Sequence, residues 1–366
     1  TTVIDFEPHV LPNFLDPELS EFVENRMAEE GVMPMTGVSL EGVEGDGKVE
    51  KVLTSKRAMK ADALVLAIGI RPNTAFLEGS GIEMFKGTIL TDGHMRTNAE
   101  DIYAAGDCAM VTNRQTGKPA WSPMGSTANI SARVLAENLA GKDVTYPGVL
   151  GTGVAKLPGG INAGRTGLTE TAARAEGYDV VTASAAVDDK AHYYPGADAF
   201  LIKLTADRAS RKLLGVQVLG PGAVDKVTDI GVTAISLGAT VDQLQGLDFA
   251  YAPPFSTAIH PFAAALNVLC NKLDGALESI TPAEYAGGAA EGYEVVDCGR
   301  VPFISGKRYM GLTTIDGPMD GFGREDKILL VCKKGKRAYL AQNRLKFYGY
   351  SNTKDLEGGA AFTEFE

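Results

Sequence analysis

Cys332 carries the most chemically suggestive surroundings in this chain. It follows the apolar run 327–331 (KILLV) and precedes Lys333, Lys334, Gly335, Lys336 and Arg337, where a helical pattern begins. A cysteine at a strand end, beside a helix N-terminus and inside a basic loop, has its thiolate stabilised by dipole and charge. The loop amides can also form an anion-binding nest around the sulfur. A purely structural cysteine is the alternative. Cys108, Cys270 and Cys298 are widely spaced, with no C-x-x-C and no metal-type clustering, and read as packing residues or as structural residues beside a ligand.

A second site of interest is Gly106-Asp107. Residues 102–105 (IYAA) predict a short buried parallel strand, and the glycine and the acid stand at its carboxyl end. Open α/β sheets bind ligands at that end. Glycine allows close approach to the backbone, and the carboxylate can accept a hydrogen bond from a sugar-like hydroxyl. The alternative is an ordinary core strand running into a turn. Ser126, Thr127 and Ala128 open a helix predicted to run to Gly141, with Ile130, Val134, Leu135 and Leu139 inward. The first amides of such a helix face an anion or a carbonyl; an exposed cap is the alternative for Ser126 and Thr127. Asp5 closes a first strand, 1–5 (TTVID), inside what reads as a βαβ unit.

The elements that must hold these residues follow in order. Asp16-Pro17-Glu18 starts a helix as cap, first-position proline and first-turn acid, and Leu15, Leu19, Phe22, Val23 and Met27 give it an apolar stripe ending at Gly31. Residues 63–69 (ALVLAIG) predict another buried strand. Beyond 146, strands are predicted at 200–204 and 212–219 and helices at 223–237 and 257–273. Strands at 294–297 and 327–331 and a helix through 348 complete the pattern. A chain of 366 residues with this content predicts several domains, and a net charge of −11 argues against a nucleic-acid partner. No apolar run is long enough to span a membrane, and the scattered cysteines suit a reducing cytoplasm.

The pattern T-x4-I-Y-A-A-G-D-C at 97–108 resembles the second FAD motif of the flavin-dependent pyridine nucleotide-disulfide oxidoreductases. The segments A-I-G-I-R-P-N (67–73), GRTGLTE (164–170), HYYPGA (192–197) and YAPPF (251–255) match the same family in the same order. The resemblance implies an α/β chain: a partial NAD(H)-binding Rossmann-like domain at 1–80, the end of an FAD-binding Rossmann-like domain at 81–145, and an α+β dimerisation domain at 146–275. It implies that Asp107 holds a hydroxyl of the flavin ribityl chain and that residues 125–128 face the flavin pyrimidine ring. Asp5 matches the acid on the adenosine ribose and disfavours NADP; an acid merely closing a strand is the alternative. Tyr194 and Tyr251 match tyrosines of the coenzyme A disulfide reductase and NADH oxidase branch that approach flavin and disulfide across a homodimer, where a phenol is a sensible proton donor to a leaving thiolate; packing is the alternative. Asn129 matches a substrate contact. Where that branch has K-D-P, this chain has Ile259-His260-Pro261, which removes a contact to coenzyme A phosphates. His260 is similarly placed to the interface histidine of glutathione reductases, the general acid-base of their thiol chemistry, where a near-neutral imidazole suits proton transfer to a leaving thiolate; a capping or packing residue is the alternative.

C-x4-R-A at 332–338 and YGYSNTKDLEGGAAF at 348–362 resemble a rhodanese domain, 280–366, in which Cys332 carries a persulfide and Arg337 shapes the loop; VVDCGR at 295–300 departs from the usual D-V-R turn. No G-x-G-x-x-G occurs, and 42–47 (GVEGDG) lies in a hairpin-like stretch. The reading therefore expects the carboxyl-terminal two thirds of a larger enzyme, with the FAD fingerprint and redox cysteine upstream, retaining little FAD alone. The expected activity passes electrons from NADH through FAD to a sulfur–sulfur bond of a small molecule, with coenzyme A a candidate ligand. The rivals are an NADH oxidase or peroxidase with a vestigial rhodanese module, and an inactive dimeric fragment.

Overall fold

Leu15, Leu19, Val23 and Met27 recur at helical spacing, and they form the buried stripe along helix Pro17–Glu29. The computed structural model describes residues 1–365 and sets this helix between two parallel strands, Thr2–Ile4 and Met33–Met35. The chain divides into two compact units, one of residues 1–39 with 153 onward and one of residues 40–152.

In the first unit the stripe packs on Ile161, Ala163, Ala186, Leu201 and Leu219 of a five-stranded antiparallel sheet. Its order is Gly153–Lys156, Asn162–Gly167, Leu213–Gly220, Ala199–Asp207, Val180–Asp188. Leu213–Gly220 is buried at every position because both faces are covered, the second by helix Val224–Ser236. That helix lies close because a Cβ on Gly164 would stand 2.2 Å from Thr228 Oγ1, and one on Gly231 2.7 Å from Val216 Cγ2. The predicted strands at 200–204 and 212–219 and helix at 223–237 are present. The predicted 257–273 helix begins only at Pro261 and runs to Leu273, packed on Val180–Asp188. That last strand was not foreseen: its small-residue centre, 183–186 (ASAA), lacks alternation because the strand is buried along most of its length.

One buried charge cluster ties helix to sheet. Lys203, 2% exposed, meets Asp16 at 3.1 Å, Glu170 at 2.8 Å and Glu18 closer still. Asp16 occupies the N-cap position of helix Pro17–Glu29, but its carboxylate does not cap that helix. It accepts instead from Gln217 Nε2 (2.6 Å), Glu170 N (2.9 Å) and Thr171 Oγ1 (3.0 Å). Burial would raise Asp16 and Glu170, yet the Lys203 charge and these donors hold both below the ordinary carboxylate range.

The carboxyl-terminal part of this unit is a five-stranded parallel sheet ordered Ser279–Ile280, Thr353–Leu356, Ile328–Val331, Glu294–Asp297, Arg308–Tyr309. Val296 and Leu330 face helix Lys336–Phe347 through Ala338, Ala341 and Leu345, while Leu329 and Val331 face Ile280 and Leu356 on the other side.

In the second unit, Leu40–Glu44, Lys51–Thr54 and Ala58–Lys60 form an antiparallel sheet. Met84–Phe85, Thr88–Leu90, Ala109–Thr112 and Pro119–Trp121 form another, beside helix Gly125–Leu139. Two sequence expectations fail here. Residues 63–69 form no strand, and Val65 and Ile68 are exposed; among the described residues nothing pairs with them, and a parallel strand needs neighbours on its edges. Residues 102–105 form no strand either, apart from an isolated bridge between Arg96 and Tyr103; regular pairing resumes only at Ala109. The inward face of helix Gly125–Leu139 is Thr127, Ser131 and Val134, whereas Ile130 and Leu139 are exposed.

Candidate functional site: a thiol loop, two tyrosine loops and a glycine turn

Strand Ile328–Val331 delivers Cys332 to the start of helix Lys336–Phe347. Gly335, at φ +82°, supplies the left-handed turn between them, a conformation that favours glycine. The amides of Ala338, Lys334 and Arg337 point at the Cys332 sulfur. A second segment covers the loop: Ala360 N donates to Cys332 O and Ala361 N to Lys333 O, both at 3.0 Å. This approach requires Gly359, where a Cβ would stand 1.9 Å from Cys332 O.

The expected low thiol pKa at Cys332 is corrected. Burial raises it, with Asp355 adding to the rise, and this outweighs the three amides. Two of the basic side chains expected at the sulfur have other partners. Lys334 pairs with Asp188 of the antiparallel sheet, and Arg337 Nε donates to Cys298 O at 3.1 Å. Backbone amides face the sulfur, while these two basic side chains are turned to other partners.

Three buried acids surround this loop. Asp297 accepts from Phe303 N (2.6 Å), Gly299 N (2.7 Å) and Ile304 N (3.0 Å), so it shapes the turn after its strand. Glu357 accepts from Lys272 Nζ and Ser279 Oγ, both at 2.6 Å, and from Ser184 N at 2.7 Å, joining the parallel sheet to the antiparallel one. Asp355 is raised well above the ordinary range by burial and then by the Glu357 charge, and among the described residues its Oδ1 has no hydrogen-bond partner. Sequence reasoning missed Asp355 and Glu357; the available signal was two acids alternating in the last strand and its exit, 353–357 (TKDLE).

Tyr194 and Tyr251 stand in two exposed loops of the same unit, joined by Ala191 N donating to Pro253 O at 3.2 Å. Both phenol-bearing side chains are exposed. His260 is different. Its Nδ1 accepts from Phe262 N at 3.2 Å as the cap of helix Pro261–Leu273, and its ring stacks on Phe249 at 4.9 Å. The expectation of a near-neutral imidazole is corrected: burial, then the Lys226 charge, lower its pKa to about 4.

In the second unit, Gly106 adopts φ +83° and a Cβ there would lie 3.8 Å from Ala128 Cβ, so the glycine turn touches the start of helix Gly125–Leu139. Asp107 is exposed, and Trp121 Nε1 donates to its main-chain carbonyl at 2.8 Å. Gly125 and Ser126 are exposed, Thr127 is buried with its hydroxyl 2.8 Å from Ser122 Oγ, and no side chain caps this helix. Asn129 Nδ2 donates back to Gly125 O at 2.7 Å. An exposed carboxylate beside an uncapped helix start suits a ligand that offers both a hydroxyl and an electron-poor carbonyl edge. Asp5, in the first unit, accepts from Glu7 N at 3.0 Å just past strand Thr2–Ile4.

Comparison with known proteins gives these parts a context. Residues 1–128 match the pyridine nucleotide-disulphide oxidoreductase family, and residues 160–263 match the dimerisation domain of the same family. A relative from Pyrococcus furiosus named NAD(P)H sulfur oxidoreductase (CoA-dependent) is 36% identical over 73% of this chain and 60% of its own length. A Methanocaldococcus jannaschii protein named NADH oxidase is 32% identical over 74% and 60%. The chain thus spans about 60% of the curated relatives it matches. The structure of an NAD-dependent persulfide reductase from A. fulgidus superimposes with a TM-score of 0.91 at 36% identity, covering 99% of this chain and 67% of that one.

Proposed function

Because the chain belongs to the pyridine nucleotide-disulphide oxidoreductase family, we propose that it serves a flavoprotein that moves electrons from NADH through FAD to a sulfur–sulfur bond. In this reading the parallel-sheet domain, residues 280–366, is rhodanese-like, and Cys332 carries sulfane sulfur as a persulfide. The observation that carries the proposal is the Cys332 sulfur held at a strand end by three loop amides, those of Lys334, Arg337 and Ala338. A terminal persulfide sulfur is more acidic than a thiol, so the same amides suit the loaded state better than the free one.

FAD, when bound, supplies the two-electron relay between nicotinamide and sulfur. In this chain Asp107 would accept from a ribityl hydroxyl, Gly106 would let the cofactor approach the backbone, and the first amides of helix Gly125–Leu139, at Ser126, Thr127 and Ala128, would face its electron-accepting ring. Asp5 would accept from the ribose of NADH. Tyr194 and Tyr251, on loops already joined to each other, would donate protons to sulfur across a homodimer formed through the dimerisation domain. His260 is left out of the proton chemistry, since its Nδ1 is committed to the helix cap.

Sulfur transfer tests the reading directly. Thiosulfate-to-cyanide transfer by the full chain is expected to fall at least about 100-fold in Cys332→Ser while its melting temperature is unchanged, as for loss of a nucleophile. Transfer undiminished in that variant would remove the sulfur-carrier role. The NADH oxidase relative supports a second reading, in which oxygen is the acceptor and Cys332→Ser leaves NADH consumption unaltered.

A further inference from the structure

Cys298 and Cys332 occupy equivalent positions on neighbouring strands. Strands Glu294–Asp297 and Ile328–Val331 run parallel with Asp297 opposite Val331, and Cys298 N donates to Val331 O at 2.7 Å, which extends the ladder by one residue. Cys298 therefore stands beside Cys332. Alternation puts both thiols on one face: Val296, Cys298, Leu330 and Cys332 share one core cluster, while Leu329 and Val331 belong to the opposite one. Neighbouring strands are about 4.8 Å apart, inside the roughly 4.4–6.8 Å Cα separation that disulfides use.

The pair is asymmetric. Three amides face the Cys332 sulfur, whereas the Cys298 thiol is fully buried, weakly bonded to Val296 O at 3.8 Å, and pushed far up by burial, so it reacts only when its proton is given up in the same step. A side chain with no exposure has no solution partner, and the charge of its neighbour across the ladder, Cys332, bears on it. Asp355 comes to the same face from the third strand, opposite Leu330; it is 4% exposed, its charge bears on both thiols, and among the described residues its Oδ1 is unpartnered.

We propose that Cys298 is the resolving thiol of Cys332: it attacks the Cys332 persulfide to form a Cys298–Cys332 disulfide and release hydrogen sulfide. The inference rests on the sulfur-carrier reading of Cys332. In this step Cys298 sulfur bonds to Cys332 Sγ, and the bond between Sγ and the sulfane sulfur breaks with its electron pair leaving on sulfide. The Cys298 proton ends on that sulfide. The sulfane sulfur is reduced and the two thiols are oxidised, so no outside electron donor enters. Two equivalents of a small thiol then restore the dithiol by exchange and leave as their own disulfide, which is the substrate class proposed above for the flavin half.

The test uses the full chain, reduced and freed of small thiols, then exposed to thiosulfate, with intact mass read under non-reducing conditions and sulfide measured. The wild type is expected to lose two hydrogen atoms, to yield a linked Cys298–Cys332 peptide, and to release about one sulfide per chain. Cys298→Ser and Cys298→Val, with melting temperatures measured as fold controls, are expected to keep one added sulfur atom at least about 10-fold longer and to release no sulfide burst. A wild-type persulfide as long-lived as that of both variants would overturn the resolving role and leave the carrier role intact. No added sulfur in any of the three proteins would instead remove the carrier role, and the resolving role with it.

Discussion

At Cys332, burial and the loop amides oppose each other, and burial wins. The free thiol is accordingly held in reserve, and alkylation by iodoacetamide is expected to keep accelerating above about pH 8.5, the ordinary cysteine value. A plateau below neutrality would contradict that order of effects. His260 illustrates how a residue type misleads. A histidine before a proline and a helix fits both a proton carrier and a cap, and the ring's stacking on Phe249 and its bond from Phe262 N show it capping the helix. Replacing His260 with alanine is expected to cost about 1 kcal/mol, the usual value of a lost cap, and to leave the pH profile of turnover between 5 and 8 unmoved. A shifted profile would restore the imidazole to the chemistry. Lys203 is a starker case, because it neutralises three carboxylates from inside the core. Lys203→Met leaves those carboxylates buried without a counter-charge and is expected to cost about 3–5 kcal/mol, measured by urea unfolding.

Among elements, legibility tracked how completely each one carries its own partners. Helix Pro17–Glu29 was readable because its stripe Leu15, Leu19, Val23 and Met27 meets a sheet within the same unit. The strand before Cys332 was readable as a short apolar run, since a parallel strand buried on both faces needs no alternation. Residues 63–69 have the same composition and form no strand, because a run of aliphatic residues records the wish to be buried and not the presence of neighbours. Val180–Asp188 escaped notice for the opposite reason: small residues, Ala and Ser, fit under a helix without a hydrophobic signature. In the candidate site, Cys332 and its loop stood out from sequence, while Asp355 and Glu357 did not, since their surroundings come from strands and helices far along the chain. Glycine is the clearest element-level lever. Gly359→Ala would force a Cβ into Cys332 O at a φ of +58°, so the cover over the thiol loop is expected to loosen at a backbone cost of about 1–3 kcal/mol. Faster hydrogen exchange at the Ala360 and Ala361 amides would report it.

Across the whole molecule, two groups of acids set opposite pH dependences. Asp16 and Glu170 titrate lower in the fold than in the unfolded chain, so the stability they give is full above their unfolded values near pH 4 and drains away as pH falls through the depressed ones. Asp355 titrates higher in the fold, so its effect runs the other way. The unfolded chain ionises it freely, and stability is lost as pH rises from about 4 toward the raised folded value. Asp355→Asn should therefore raise the melting temperature at pH 7–8 and flatten its dependence on pH above 5, in thermal melts across that range. An unchanged slope would mean that another group dominates.

The pairing of Lys334 with Asp188 extends these effects to solution conditions. Lys334 belongs to the loop around Cys332, Asp188 lies on the antiparallel sheet, and both are partly open to water. Dissolved ions weaken such a pair, and a half-exposed one is worth no more than about 1 kcal/mol. Salt thus becomes a mild key to the thiol: labelling of Cys332 should quicken by up to about 5-fold between dilute buffer and molar sodium chloride, and Lys334→Met should label at the fast rate in both.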